Sequence, residues 1–178
     1  MGMSLVENLS FVFFSEHLHA SSTLDGFTVV VTVLFEVPIF YFAPAMLEKF
    51  GPSMLQGFAL VAYFTRVIGY TLIPNSAPWL VLLLEPLHGC TYAFSKTSAV
   101  SFISEHSPGG FESTGQGLMT ALRAGAGNLL GMVVSGLIAA KFGQVVLYRA
   151  AGGAVFAVFL LFVVFKKLED GTSRPRRS

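Results

Sequence analysis

Residues 26–53 read GFTVVVTVLFEVPIFYFAPAMLEKFGPS, an apolar block followed by a polar turn. The block from Gly26 to Leu47 has the length of about 20 residues that a helix needs to cross a bilayer. The turn that follows places two charged residues before Gly51 and Pro52, a pair that interrupts a helix. The stretch therefore predicts a transmembrane helix that ends at a short connection.

The same pattern of apolar blocks and short polar connections recurs along the whole chain of 178 residues. With 53% hydrophobic and 12% charged residues, the composition is typical of a polytopic helical membrane protein. Connections this short force consecutive helices to run antiparallel. We expect an all-α bundle of six spans, the first of them truncated: about 1–18, 26–47, 53–73, 79–104, 114–140 and 145–165. Together they form one membrane domain over 1–165, followed by a basic tail over 166–178.

The basic residues predict the orientation of this multi-pass protein. Cytoplasmic segments next to spans carry an excess of lysine and arginine. The tail contains Lys166, Lys167, Arg174, Arg176 and Arg177. We therefore expect the C-terminus on the cytoplasmic side of an integral membrane protein.

Ionisable side chains fall inside the predicted spans, where a charge facing lipid costs about 2.5–3.5 kcal/mol. They must therefore face one another, backbone carbonyls or water. The residues of this set are Glu36, Arg66, Glu85, His88, Lys96 and Arg123.

Helical spacing brings several of these groups to one face. Glu85, His88, Tyr92, Ser95 and Lys96 fall within an arc of about 100° on the fourth span. On the fifth span, Arg123 shares a narrow face with other polar or small residues. We interpret these faces as a substrate or proton pathway. The alternative is that buried ion pairs simply lock the bundle.

Small residues of the fifth span predict close helix packing, with a sliding surface as the alternative. These residues are Gly125, Gly127, Gly131 and Gly136. The sequence contains no HExxH, no GxSxG and no paired carboxylates, and its one cysteine is Cys90. We therefore expect no enzymatic activity, no metal site, no cofactor and no nucleic-acid partner.

Six stretches together resemble a known family: SLVENLSFVFF, FEVPIFYFAPAMLEKFG, YFTRVIGY, EPLHG, GFESTGQGLMTAL and SGLIAAKFG. They are similar to helices seven to twelve of a major facilitator superfamily transporter, in the lactose-permease-like branch that includes animal major facilitator superfamily domain-containing proteins. The resemblance implies a twelve-helix fold in two halves around a cavity, with alternating access. Met1 would fall within helix seven, so we expect a fragment, a truncated gene product or a degenerate half. The implied partners are the bilayer, a small polar solute, protons and a missing N-terminal half.

The resemblance also implies roles for individual residues. Arg66 and His88 look like the arginine and histidine that serve proton and sugar coupling in lactose permease. The coupling carboxylate expected three residues after the histidine is Thr91 here, whereas Glu85 lies three residues before it. The glutamate that contacts sugar would fall at Val33, and this departure argues against galactoside recognition.

Two functions from different classes follow from these observations. The first is a proton symporter for a small polar solute, in which Glu85 or Glu36 loads the proton, His88 tunes it or binds the solute, and Arg66 stabilises the carboxylate. The second is a membrane receptor or scaffold that keeps the fold without transporting. A truncated, non-functional half is a third possibility.

Overall fold

The computed structural model describes residues 9–172, and all regular structure in this range is helical. The predicted all-α membrane class is confirmed. The residues before 9, which include half of the predicted first span, and the end of the basic tail after 172 lie outside the described residues. The helices are α1 Ser10–Glu16, α2 Ser22–Tyr70, α3 Val81–His106, α4 Glu112–Phe142 and α5 Gln144–Thr172, and a 3-10 turn at Pro78–Leu80 precedes α3.

Three of these helices are long and apolar enough to cross a membrane. They are α2, α4 and the part of α5 that runs from Gln144 to Leu168. Large apolar side chains on their outer faces, such as Leu34, Phe42 and Leu129, are more than half exposed. Because such surfaces need an apolar environment, the chain is an integral membrane protein.

Helix α2 folds back on itself at Gly51. This glycine has φ 73° and ψ 164°, a conformation outside the helical region. Thr32, before the break, and Tyr70, after it, both donate a hydrogen bond to the carboxylate of Glu85. In a straight helix these two residues would lie roughly 57 Å apart. Helix α2 therefore consists of a first arm (22–50) and a second arm (52–70), joined within the turn predicted over 48–53.

Helix α3 packs closely against both arms. A Cβ added at Gly89 would lie 2.9 Å from the backbone nitrogen of Glu36 and 3.0 Å from the carbonyl oxygen of Thr32. The backbones of α3 and the first arm therefore meet at this glycine. Farther along α3, the Ser98 hydroxyl donates a 2.7 Å hydrogen bond to the carbonyl of Pro52, directly after the break.

An aromatic core joins α1, the second arm and α5. The ring of Phe13 stacks on Tyr148 with 4.3 Å between centroids, and Phe14 meets Tyr70 edge-on at 5.2 Å. Tyr63 of the second arm is buried beside them. Offset and edge-on aromatic pairs of this kind contribute roughly 0.5–1.5 kcal/mol beyond the area that they bury. The core therefore fixes the short α1 on the bundle.

Helix α4 contains a π-helical segment, Ala121–Gly127, and makes few contacts with the rest of the bundle. Gly131 is buried and Gly127 is partly buried. A Cβ at Gly125 or Gly136 would meet nothing within 4 Å. No other helix among the described residues therefore packs against Gly125 or Gly136. Close packing at these two glycines stays a prediction for contacts with another helical segment.

The break in α2 generates a stability prediction. Gly51→Ala forces a Cβ into a backbone conformation that is essentially restricted to glycine, so we expect a loss of about 1–3 kcal/mol in the free energy of unfolding. Gly153→Ala is the matched control, because this glycine is helical with open space around its Cα, and it should be neutral or slightly stabilising. Denaturant unfolding of the protein in lipid nanodiscs measures both variants. Equal effects of the two substitutions would contradict a strained turn at Gly51.

Candidate functional site

Glu85 is a buried carboxylate at the meeting point of three helical segments. Its side chain extends from the first turns of α3 and is 3% exposed. The Thr32 hydroxyl of the first arm donates a 2.8 Å hydrogen bond to Oε2, and the Tyr70 hydroxyl of the second arm donates a 2.6 Å bond to Oε1. Each carboxylate oxygen is therefore bound by a different arm of α2.

Arg66 supplies the positive charge next to this carboxylate. It is 1% exposed and lies on the second arm, one turn before Tyr70. Its guanidinium carbon is 5.5 Å from the ring centre of Tyr63 and 5.8 Å from that of Tyr70. The two aromatic rings compensate part of the cost of burying the charge.

A cavity of about 230 Å³ opens beside Glu85 and Arg66. Its polar wall also includes His88 and the hydroxyl residues Thr28 and Thr32, and Phe14 of α1 closes it on another side. A space of this size that is lined by hydroxyls and charges can hold several water molecules. Arg66, Glu85 and His88 therefore line one cavity, and the wet interior expected from the sequence stays a prediction at this place.

His88 stands at the edge of this cavity. Its Nδ1 is 3.8 Å from Oε2 of Glu85, and its side chain is 29% exposed, against 4% for the glutamate. A protonated His88 would form an ion pair with Glu85, and a neutral one would not. The histidine is therefore placed between the buried carboxylate and the open space.

A second group of polar residues lies farther along α3, toward its C-terminal end. The Nζ of Lys96 and the guanidinium carbon of Arg123 are each 5.7 Å from the ring centre of Tyr92. Glu36 of the first arm interacts electrostatically with Lys96. Lys96 and Glu85 are roughly 16 Å apart along the helix axis. The stripe expected to line one interior is thus divided into two groups, one around Glu85 and one around Tyr92.

The division has a physical cause at Gly89. The first arm crosses α3 at this glycine, between His88 and Tyr92, with its backbone at Thr32 and Glu36 directly against the helix. A helical projection shows which residues share a face. It does not show where along that face another helix crosses.

Sequence reasoning missed two hydroxyl residues that contribute to the site. Thr28 and Thr32 precede Glu36 at intervals of four residues and thus share its face, which is the sequence signal that could have found them. Tyr148 of α5 was also missed; it is fully buried and interacts electrostatically with Arg66. Thr91, at the position where the family resemblance predicts a carboxylate, donates its hydroxyl to the Leu87 carbonyl at 2.6 Å.

The sequence profile described as MFS_1 like family matches residues 1–150. The chain belongs to the MFS_1 like family. This membership supports the predicted relationship to the major facilitator superfamily and a function of the transporter type. No solved structure matches the chain. In this chain, Arg66 and Glu85 are buried and Lys96 is exposed. These three ionisable residues are the candidates for a role in transport.

Proposed function

We propose that this protein is a proton-coupled symporter of a small polar solute in the lactose-permease-like branch, and that it works by alternating access. The observation that supports this function best is the buried Glu85 carboxylate, which is held by both arms of α2 and faces a polar cavity. Intramembrane ionisable groups that line a cavity typically mark ion or substrate pathways.

Protonation of Glu85 would change the contacts between helices. The ionised carboxylate accepts hydrogen bonds from Thr32 and Tyr70 at the same time. A protonated carboxyl group carries a donor of its own and offers fewer acceptor positions. At least one of the two bonds would then rearrange. The proton load of Glu85 would thus alter how α3 is fastened to the two arms, which is the kind of coupling that alternating access requires.

Arg66 and His88 take supporting roles in this proposal. Arg66 brings a buried positive charge from the second arm to the cavity that Glu85 lines. His88 lies 3.8 Å from the carboxylate and reaches the cavity, so it is positioned to pass a proton between Glu85 and water. Thr91 binds its own helix backbone, which leaves Glu85 as the carboxylate nearest to His88 on α3.

Glu85→Gln tests the proton coupling. The intact protein is reconstituted in proteoliposomes with an imposed gradient of one pH unit and offered a radiolabelled sugar, nucleoside, amino acid and monocarboxylate. One-to-one coupling gives up to about tenfold accumulation of the transported solute. Glu85→Gln should abolish accumulation and retain solute exchange, because the amide cannot release a proton. The control Glu48→Gln lies in the exposed turn of α2 and should accumulate solute normally.

Undiminished accumulation by Glu85→Gln would remove Glu85 from the mechanism. A different result would favour the receptor or scaffold interpretation over the symporter. In that case the unaltered protein accumulates none of the solutes, and Glu85→Gln folds and binds other proteins as the unaltered protein does.

We further propose that the C-terminus is cytoplasmic and that a second helical domain closes the open side of this bundle. The basic residues after Phe165 support the orientation, and Lys166 and Lys167 lie on the last turns of α5. In sealed microsomes, whose cytoplasmic face points outward, added protease should remove a C-terminal tag without detergent. A tag that is protected until detergent is added would contradict the orientation.

A further inference from the structure

Lys96 is an exposed cation near the middle of α3, in the stretch that the sequence predicts as the fourth transmembrane span. It lies roughly 22 Å from the start of α3 and roughly 15 Å from its end. It forms no ion pair with any carboxylate of residues 9–168, although Glu36 is near enough to interact with it electrostatically. An ammonium at this depth is too costly to place against hydrocarbon. This side of α3 must therefore face water or a polar partner.

Arg123 strengthens the positive potential at this place. Its guanidinium lies on the Tyr92 ring at the same 5.7 Å distance as the Lys96 ammonium. It belongs to the π-helical segment Ala121–Gly127 of α4, and such segments are frequent at functional sites. Cations from two helices thus meet at one aromatic ring, with Glu36 as the acidic group that faces Lys96.

A groove of about 580 Å³ begins at Lys96 and runs between the first arm and α3. The wall from the first arm is apolar and includes Phe40, Pro44 and Leu47, whereas the wall from α3 carries the hydroxyls of Thr97 and Ser101. Glu105 lies at the other end, where its carboxylate accepts a 2.8 Å hydrogen bond from Ser101. The groove therefore has a positive end at Lys96, a negative end at Glu105, one apolar wall and one polar wall.

We propose that the transported solute is a small organic monocarboxylate, bound in this groove with its carboxylate on Lys96 and its apolar body against the first arm. The proposal rests on the transporter function proposed above and adds the substrate class. A neutral sugar would bring no charge to offset Lys96. A dianion would place its second charge toward Glu105, and inorganic phosphate has no apolar part for the wall formed by Phe40, Pro44 and Leu47.

Binding to the intact protein in lipid nanodiscs tests this substrate class. The probes are benzoate and hexanoate with their neutral amides, benzamide and hexanamide, and the readout is the shift of the thermal unfolding midpoint with probe concentration. At least one acid should bind at least about tenfold more tightly than its amide. Lys96→Gln should weaken binding of the acid by about 10- to 100-fold, the scale of one charge-assisted hydrogen bond, and remove the preference over the amide.

Two control variants accompany Lys96→Gln. Lys49→Gln removes a lysine with a similar ring contact, 5.3 Å from the ring centre of Phe50, that does not line the groove, and it should leave the acid preference unchanged. Lys96→Arg keeps the positive charge and should keep the preference for the acid over the amide. Loss of this preference in Lys96→Arg would contradict a site that depends on the charge, and this comparison holds even if Lys96→Gln folds poorly.

The outcomes separate this proposal from the symporter proposal. Equal binding of acids and amides, no binding of any probe, or unchanged affinity in Lys96→Gln would overturn the monocarboxylate site. The absence of binding by any probe is expected if a carboxylate of another protein segment already binds Lys96. Glu85→Gln should retain the acid preference, because Glu85 lies outside the groove. Acid binding together with undiminished uphill uptake by Glu85→Gln would refute proton coupling through Glu85 and leave the solute site intact.

Discussion

The burial of one carboxylate inside an apolar bundle constrains the rest of this structure. An ionised Glu85 needs hydrogen-bond donors and a positive charge within the protein, because lipid offers neither. The chain supplies them from two directions, with Thr32 on the first arm of α2 and with Tyr70 and Arg66 on the second. Both arms can reach α3 only because α2 reverses at Gly51. The local chemistry of Glu85 and the path of the chain therefore depend on each other.

The two polar groups of the bundle differ in a way that suits different tasks. Arg66 and Glu85 are almost fully buried and bring opposite charges to one small cavity. Lys96 is exposed in a wider groove, with Tyr92 and Arg123 beside it. A buried, compensated pair is suited to hold or release a proton without exchanging large ligands. An open cationic groove is suited to exchange a solute. Glu85 and Lys96 are about 16 Å apart along α3, and the backbone of the first arm meets α3 between them at Gly89.

Most of the fold could be predicted from the sequence, because each apolar block ends at glycine, proline or charged residues. The break of α2 lies within the predicted turn at 48–53. The site was harder to predict. Spacing along α3 placed Glu85, His88, Tyr92 and Lys96 on one face, but it could not show that the first arm crosses that face at Gly89. Thr32 was missed because a single hydroxyl in an apolar helix becomes informative only when its partner is known, and that partner is 53 residues away in the chain.

A double-mutant cycle between Tyr70 and Glu85 tests the central claim most directly. Tyr70→Phe, Glu85→Leu and the combined variant are unfolded in lipid nanodiscs, with Tyr41→Phe as the exposed tyrosine for a parallel cycle. If the Tyr70 hydroxyl binds the Glu85 carboxylate, the two substitutions should be coupled by about 1–2 kcal/mol, whereas Tyr41 and Glu85 should show none. Additive effects of the Tyr70 and Glu85 substitutions, within about 0.3–0.5 kcal/mol, would contradict the account.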